Sequence, residues 1–158
     1  EFLNINTRFK TFIYVNMAFA YIYNKQYTES LTMLDRAFAY DEKDENLIMG
    51  YIYAYSLINK YPDAKAWTNK GKLYLRDKIH IKELNFWIKY IQIINKSPER
   101  LIHSTESMVM YFKKKCIYSK YVFYINIMIL LLEKCGRYEE AYKELKYVTE
   151  FIFCLKNS

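Results

Sequence analysis

The fold is decided by residues 11–40, which read TFIYVNMAFAYIYNKQYTESLTMLDRAFAY. On both sides of the polar segment 24–26, apolar and small side chains recur every three or four residues, a spacing typical of one face of an α-helix. Small side chains at this spacing let two helices approach closely where they cross. The stretch therefore predicts two packed helices, whose seam is expected to contain Tyr14, Met17, Ala18, Tyr21, Ser30, Leu34 and Ala37.

The layout of this hairpin recurs along the chain. Tyr27, Tyr61 and Tyr138 each stand three residues before a small side chain, and the first two are 34 residues apart. A fixed period of this length is typical of helical hairpins that stack on their neighbours. We therefore predict one all-α domain over residues 1–158, an α-solenoid of eight helices in four hairpins. The expected repeat units are about 11–44, 45–78, 79–115 and 116–155.

The composition also favours helices. The chain has 158 residues, 53% hydrophobic and 19% aromatic, which is enough to bury a core. With only three Gly and two Pro, it lacks the turn residues of an all-β protein and the glycine-rich loop of a nucleotide-binding α/β protein. The net charge of +7 is spread along the chain and is balanced locally by acids such as Asp41 and Asp44, which favours a solvated, mildly basic surface.

Cysteine usage and hydropathy bear on the cellular setting. Cys116, Cys135 and Cys154 are odd in number and lack C-x-x-C spacing, so we predict neither a disulfide framework nor a zinc site, and a reducing, cytoplasmic location. The longest apolar run, residues 121–132, is too short to span a bilayer, so no membrane partner is expected. The chain opens at Glu1 without a Met, which favours a fragment of a larger protein.

No pattern in the sequence points to catalysis. There is no P-loop, dinucleotide fingerprint or H-E-x-x-H motif. His80 and His103 have no further ligands at metal-binding spacing, and we interpret both as surface or capping residues. No Ser or Cys comes with the base and orienting group that a nucleophile requires. We therefore predict a protein that is not an enzyme, with no catalytic residue, no metal and no cofactor.

The seam of the first hairpin, from Tyr14 to Ala37, resembles the tetratricopeptide consensus, and Gly136, Tyr138, Ala141 and Leu145 resemble its second half. This resemblance implies a right-handed superhelix that binds peptides or proteins. The lysine- and tyrosine-rich texture is similar to the sensor regions of the Rap, Rgg, PlcR and PrgX regulators. That similarity implies a cytoplasmic peptide receptor of a bacterial transcriptional regulator, often a homodimer.

The resemblance also implies which residues face a partner, because the first helix of each tetratricopeptide hairpin lines a concave groove. The groove expected here is largely apolar and suits a short apolar peptide or a partner helix. Asn46 and Asn126 are the best candidates for holding a peptide backbone, because an amide both donates and accepts hydrogen bonds. An aromatic stripe at helical spacing is also typical of interior packing. The predicted partner-binding residues are Phe12, Val15, Asn16, Phe19, Asn46, Met49, Tyr53, Trp87, Tyr90 and Asn126.

Two other functions stay open at this stage. Cations and aromatic rings alternate in a segment that could contact phosphates and stack bases of a single-stranded nucleic acid. Lysines at a helix end favoured by the helix dipole explain the same segment, so nucleic acid is the less favoured partner. The other alternative is self-association through the aromatic surface, without any peptide site. The residues of the nucleic-acid alternative are Lys113, Lys114, Lys115, Lys120 and Tyr121.

Overall fold

A computed structural model describes the backbone of residues 2–156 and the side chains of residues 6–155. Within this part of the chain the structure is all-helical, with eight α-helices and no strand. Consecutive helices pack as neighbours within residues 2–74 and again within residues 99–156, which confirms the prediction of an all-α helical-repeat fold. The helices are α1 (Phe2–Tyr23), α2 (Tyr27–Phe38), α3 (Glu45–Leu57), α4 (Tyr61–Tyr74), α5 (Lys78–Ile93), α6 (Glu99–Lys114), α7 (Tyr118–Lys134) and α8 (Tyr138–Lys156).

Four helix-to-helix turns share one backbone geometry. The residue that opens each turn has a positive φ, between 56° and 73°. The backbone amide of the following residue donates a hydrogen bond to a carbonyl in the last turn of the preceding helix. At the first of these turns, Gln26 N donates to the Tyr21 carbonyl at 2.8 Å. This left-handed closure ends a helix abruptly, and in each case a tyrosine begins the next helix two residues later. The left-handed residues are Lys25, Asn59, Cys116 and Gly136.

Gly136 ends α7 with a left-handed backbone, a conformation that glycine adopts readily, and two helix starts are notable. Helix α1 begins at Phe2, well before the expected start at Thr11. Helix α2 begins at Tyr27 with Gln26 at its N-cap position, and no side chain forms a capping hydrogen bond there. The backbone turn at Lys25 therefore fixes this helix start, and a side-chain cap is not needed.

The chain divides into two compact units, the first ending at Ile91 and the second beginning at Gln92. This division falls inside α5 and inside the third predicted repeat. The first unit contains α1 to α4 and most of α5. Its core joins α1, α2 and α3 through a cluster of Val15, Ala18, Met33, Leu34, Ala37, Leu47 and Tyr51.

Helices α2 and α3 approach each other closely at Gly50. A Cβ atom at this position would lie 2.7 Å from Leu34 Cδ2. Gly71 plays a similar part on α4, where a Cβ would lie 3.1 Å from Leu84 Cδ1 on α5. The absence of a side chain at each site lets neighbouring helices interlock.

In the second unit, aromatic side chains hold α6, α7 and α8 together. Phe112 on α6 stacks on Tyr124 of α7 with ring centroids 5.3 Å apart, and both rings are fully buried. Phe151 on α8 packs edge-on against Tyr121 of α7 at 5.1 Å. The inner face of α8 is completed by small and branched side chains, Ala141 and Val148.

Candidate functional site: a pocket between α1 and the start of α3

The first unit contains an open pocket of about 450 Å³ between one face of α1 and the segment that leads into α3. We call it the α1–α3 pocket. Five of the ten predicted partner-binding residues line it. Its volume lies within the range of about 300–1,000 Å³ that is usual for ligand sites. The lining residues are Arg8, Thr11, Phe12, Val15, Asn16, Phe19, Asp41, Asp44 and Asn46.

The α1 wall of the pocket is apolar and well supported. Val15 is buried at its base, and Phe12 is exposed at its rim. Phe19 is half-buried, and its ring meets the edge of Tyr53 at a centroid distance of 5.8 Å. Because Tyr53 is itself buried, this contact holds the Phe19 ring in place. The wall therefore offers a preformed surface for an apolar group.

The opposite wall is polar and carries two carboxylates. Asp44 caps α3, where its Oδ1 accepts a hydrogen bond from Leu47 N at 2.8 Å. Asp41 Oδ1 accepts from Lys43 N at 3.0 Å. Each of these bonds uses one carboxylate oxygen, so the second oxygen of each Asp can accept from a ligand.

Two amides and one guanidinium add directional hydrogen bonding. Asn16 Nδ2 donates to the Phe12 carbonyl at 2.8 Å, which leaves the Asn16 side-chain oxygen available as an acceptor. Asn46 is exposed on the first turn of α3, and neither its amide nor the Arg8 guanidinium is paired with another side chain in the described part of the chain. The pocket thus presents both donors and acceptors.

The start of α3 is held in place from a second side. Glu45 Oε2 accepts from the Asp77 backbone amide at 3.1 Å and lies 3.1 Å from His80 Nδ1. Partial burial opposes ionisation of Glu45, but the hydrogen bonds from His80 and from the amides of Asp77 and Arg76 outweigh it and lower the pKa of this carboxyl. These contacts tie the first turn of α3 to the first turn of α5, so the neighbouring Asp44 and Asn46 stand on a fixed support.

Four predicted groove residues are buried instead of open to a partner. Met49, Tyr53 and Trp87 are fully buried in the first unit, and Tyr90 is nearly so. The reason is an aromatic column in which Tyr53 contacts Phe19 on one side and Trp87 on the other, with a Tyr53–Trp87 centroid distance of 5.3 Å. For these four residues the expectation of an exposed groove is corrected to interior packing. The remaining predicted residue, Asn126, is half-buried on α7 in the second unit and does not line the α1–α3 pocket.

The basic and aromatic segment proposed for nucleic acid is largely engaged within the second unit. The Tyr121 ring is buried, so it offers no face to a base. Lys113 Nζ lies 3.2 Å from Tyr147 Oη and 5.9 Å from the centre of the Tyr121 ring. Hydrogen bonds from Tyr121 and Lys113 lower the pKa of Tyr147. Lys114 and Lys115 are exposed at the C-terminal end of α6, where the helix dipole favours cations, and Lys120 is half-buried on α7.

The polar wall is not among the features that the sequence predicts. The sequence pattern indicates only local charge balance for Asp41 and Asp44, and it singles out no role for Arg8. The available signal was an Asp directly before an apolar helix, which is the pattern of an N-cap. In the described residues no group of His, Cys, Asp and Glu could hold a metal ion, and no helix is long and apolar enough to cross a membrane.

Comparison with known proteins adds no assignment. No family model, curated protein or solved structure matches this chain. The geometry of the α1–α3 pocket is therefore the basis for a functional proposal.

Proposed function

We propose that this chain is a non-enzymatic interaction module whose α1–α3 pocket captures a short extended segment of another polypeptide. The proposal rests on the lining of this one pocket. It combines two aromatic rings that are exposed or half-buried with two side-chain amides, namely Phe12, Phe19, Asn16 and Asn46. Aromatic walls bind apolar side chains, and amides satisfy the backbone of an extended segment. A tetratricopeptide-like module of this kind would form the sensory or scaffolding part of a cytoplasmic bacterial regulator.

The charges of the pocket specify the ligand more closely. Asp41 and Asp44 contribute two carboxylates and Arg8 contributes one guanidinium, so the lining is acidic although the whole chain has a charge of +7. Complementary charge selects partners and repels those of the wrong sign. The preferred segment is therefore one in which an apolar side chain stands next to a basic side chain or a free amino terminus.

A peptide array tests this proposal directly. Fluorescent short peptides of mixed sequence are offered to the folded chain, and those that are retained are titrated by fluorescence anisotropy. We expect the retained peptides to combine apolar and basic residues. Phe12→Ala should weaken their binding at least about tenfold, since an aromatic side chain that becomes buried on binding contributes about 1.5–3 kcal/mol.

Phe9→Ala is the matched control. Phe9 lies on the same helix and is 60% exposed, compared with 65% for Phe12, but it does not line the pocket. We expect Phe9→Ala to bind peptides like the parent chain, and neither substitution to change the melting temperature. The proposal fails if no peptide is retained, if acidic peptides are preferred, or if the two substitutions weaken binding equally.

A further inference from the structure

One charged side chain lies in the core of the first unit. Glu83 on α5 is fully buried, and no other Asp, Glu, Lys or Arg in the described part of the chain is buried. A carboxylate is rarely buried without a partner, because it loses its hydration. One partner is Tyr53 on α3, whose Oη donates a hydrogen bond to Glu83 Oε1 at 2.5 Å. Replacing a buried polar pair by apolar side chains is often neutral or stabilising, so stability alone does not account for this pair.

Helical spacing places a tryptophan against the same tyrosine. Glu83 and Trp87 are four residues apart and therefore lie on the same face of α5. The ring centroids of Tyr53 and Trp87 are 5.3 Å apart, and both rings are fully buried. Tyr53 thus contacts an indole through its ring and a carboxylate through its hydroxyl.

These two contacts allow a tyrosine to be oxidised inside the core. Indole and phenol rings can each lose one electron, but a phenol that keeps its proton then carries a positive charge. Such a charge is costly in an interior of low polarity, so the hydroxyl proton has to leave with the electron. A base must be within hydrogen-bond reach of the proton that it takes, and Glu83 Oε1 meets this condition at Tyr53.

We infer that Trp87, Tyr53 and Glu83 form a one-electron relay in the core of the first unit. A one-electron oxidant removes an electron from the Trp87 indole and leaves a radical cation. Tyr53 then gives one electron to Trp87 and its hydroxyl proton to Glu83. Trp87 is restored, Tyr53 becomes a neutral radical, and the buried carboxylate becomes an uncharged carboxylic acid. None of the three residues lines the α1–α3 pocket, so the inference does not depend on the proposed function.

Trp87 also contacts a second tyrosine, which lacks a base. Tyr90 follows Trp87 by three residues on α5, and the two ring centroids are 5.0 Å apart. Among the described residues no carboxylate accepts a hydrogen bond from Tyr90, and burial raises the pKa of its hydroxyl. Loss of an electron from Tyr90 would leave its proton without an acceptor. The electron is therefore expected to come from Tyr53 and not from Tyr90, although both rings touch Trp87.

Laser flash photolysis of the full chain tests the relay, because a pulse of ultraviolet light removes an electron from tryptophan directly. Trp67→Phe provides the background, since Trp67 also stacks on a tyrosine, Tyr51, and Trp87 is then the only tryptophan. After the pulse, the absorption of the tryptophan radical should be replaced by that of a tyrosyl radical. Tyr53→Phe should slow this conversion by about 100-fold or more, the contribution typical of a positioned base. Tyr90→Phe is the matched control and should leave the rate unchanged.

Glu83→Gln tests the proton transfer, because an amide oxygen still accepts a hydrogen bond but does not take up a proton near neutral pH. This variant, shown to be folded by circular dichroism, should slow the conversion as much as Tyr53→Phe does. If Glu83→Gln does not fold, the Trp67→Phe background is measured in heavy water, where the conversion should be slower because a proton moves with the electron. Equal rates in heavy and ordinary water would overturn the inference. So would a tryptophan radical that decays without forming a tyrosyl radical, or an equal loss of rate in Tyr53→Phe and Tyr90→Phe.

Discussion

Two tyrosines allow one substitution to be compared at a buried and at an exposed acceptor. Tyr53 Oη donates to Glu83 Oε1 at 2.5 Å, and Tyr51 Oη donates to Asp35 Oδ1 at the same distance. Glu83 is fully buried, whereas Asp35 is exposed. Replacing either tyrosine by Phe removes one hydroxyl and adds no atom. The two variants therefore differ chiefly in whether water can reach the carboxylate that loses its hydrogen-bond donor.

Tyr53→Phe should lower the free energy of unfolding by about 1.5–3 kcal/mol, because the buried carboxyl group loses a donor that water cannot replace. Tyr51→Phe should cost about 0.5–1 kcal/mol, because water can hydrate Asp35 once the hydroxyl is gone. A gap of about 1.4 kcal/mol corresponds to a tenfold difference between the two variants in the unfolding equilibrium.

Urea unfolding measures both values, with circular dichroism and tryptophan fluorescence followed together. Trp87 contacts Tyr53 at a centroid distance of 5.3 Å and Trp67 stacks on Tyr51 at 4.0 Å, so each substitution has a nearby reporter. The comparison requires coincident transitions and equal denaturant slopes. If Tyr51→Phe costs as much as Tyr53→Phe, burial of Glu83 does not set the strength of this contact and the reasoning is refuted.

Two further predictions concern packing and pH. Gly50→Ala should lower the melting temperature. A Cβ there would lie 2.7 Å from Cδ2 of the fully buried Leu34, which has no room to move away, so the overpacking cost should lie in the upper part of a range of about 1–3 kcal/mol and exceed a helix-propensity gain of about 1 kcal/mol. Gly71→Ala is the matched control, because the atom nearest to a Cβ at this position would be Leu84 Cδ1 at 3.1 Å. Its melting temperature should stay the same or rise. A larger decrease for Gly71→Ala than for Gly50→Ala would contradict this explanation. Burial, with smaller contributions from neighbouring tyrosines, raises the pKa of Tyr90 above the ordinary 10.0. Above about pH 10 this tyrosine therefore ionises in the unfolded chain but stays neutral in the folded one. The free energy of unfolding is unaffected by this difference below about pH 10 and decreases as the pH rises further. Tyr90→Phe should therefore stay folded to higher pH than the parent chain in a titration followed by circular dichroism, and an unchanged alkaline midpoint would contradict this.

Much of the fold is determined by local signals that can be read from the sequence. Tyr27 and Tyr61 stand 34 residues apart and each begins a helix, and the left-handed cap at Gly136 fits the sequence because glycine adopts positive φ without a steric cost. Asn59 is also a residue type that adopts positive φ comparatively often, whereas at Lys25 and Cys116 the same turn is built from residues for which this backbone is unfavourable. There the packing of the flanking helices decides the conformation.

The candidate site is likewise determined partly by the sequence and partly by the tertiary structure. The helical spacing of Phe12, Phe19, Tyr53 and Trp87 places them on equivalent faces of three helices, and this much follows from the sequence alone. Which of these faces is open depends on the neighbouring helices: the α3 face is enclosed by the rings of Phe19 and Trp87, whereas the α1 face opens onto the loop that carries Asp41 and Asp44. Sequence periodicity fixes the direction of a side chain on its own helix, but burial is a property of what another segment places against it, and only the tertiary structure decides that.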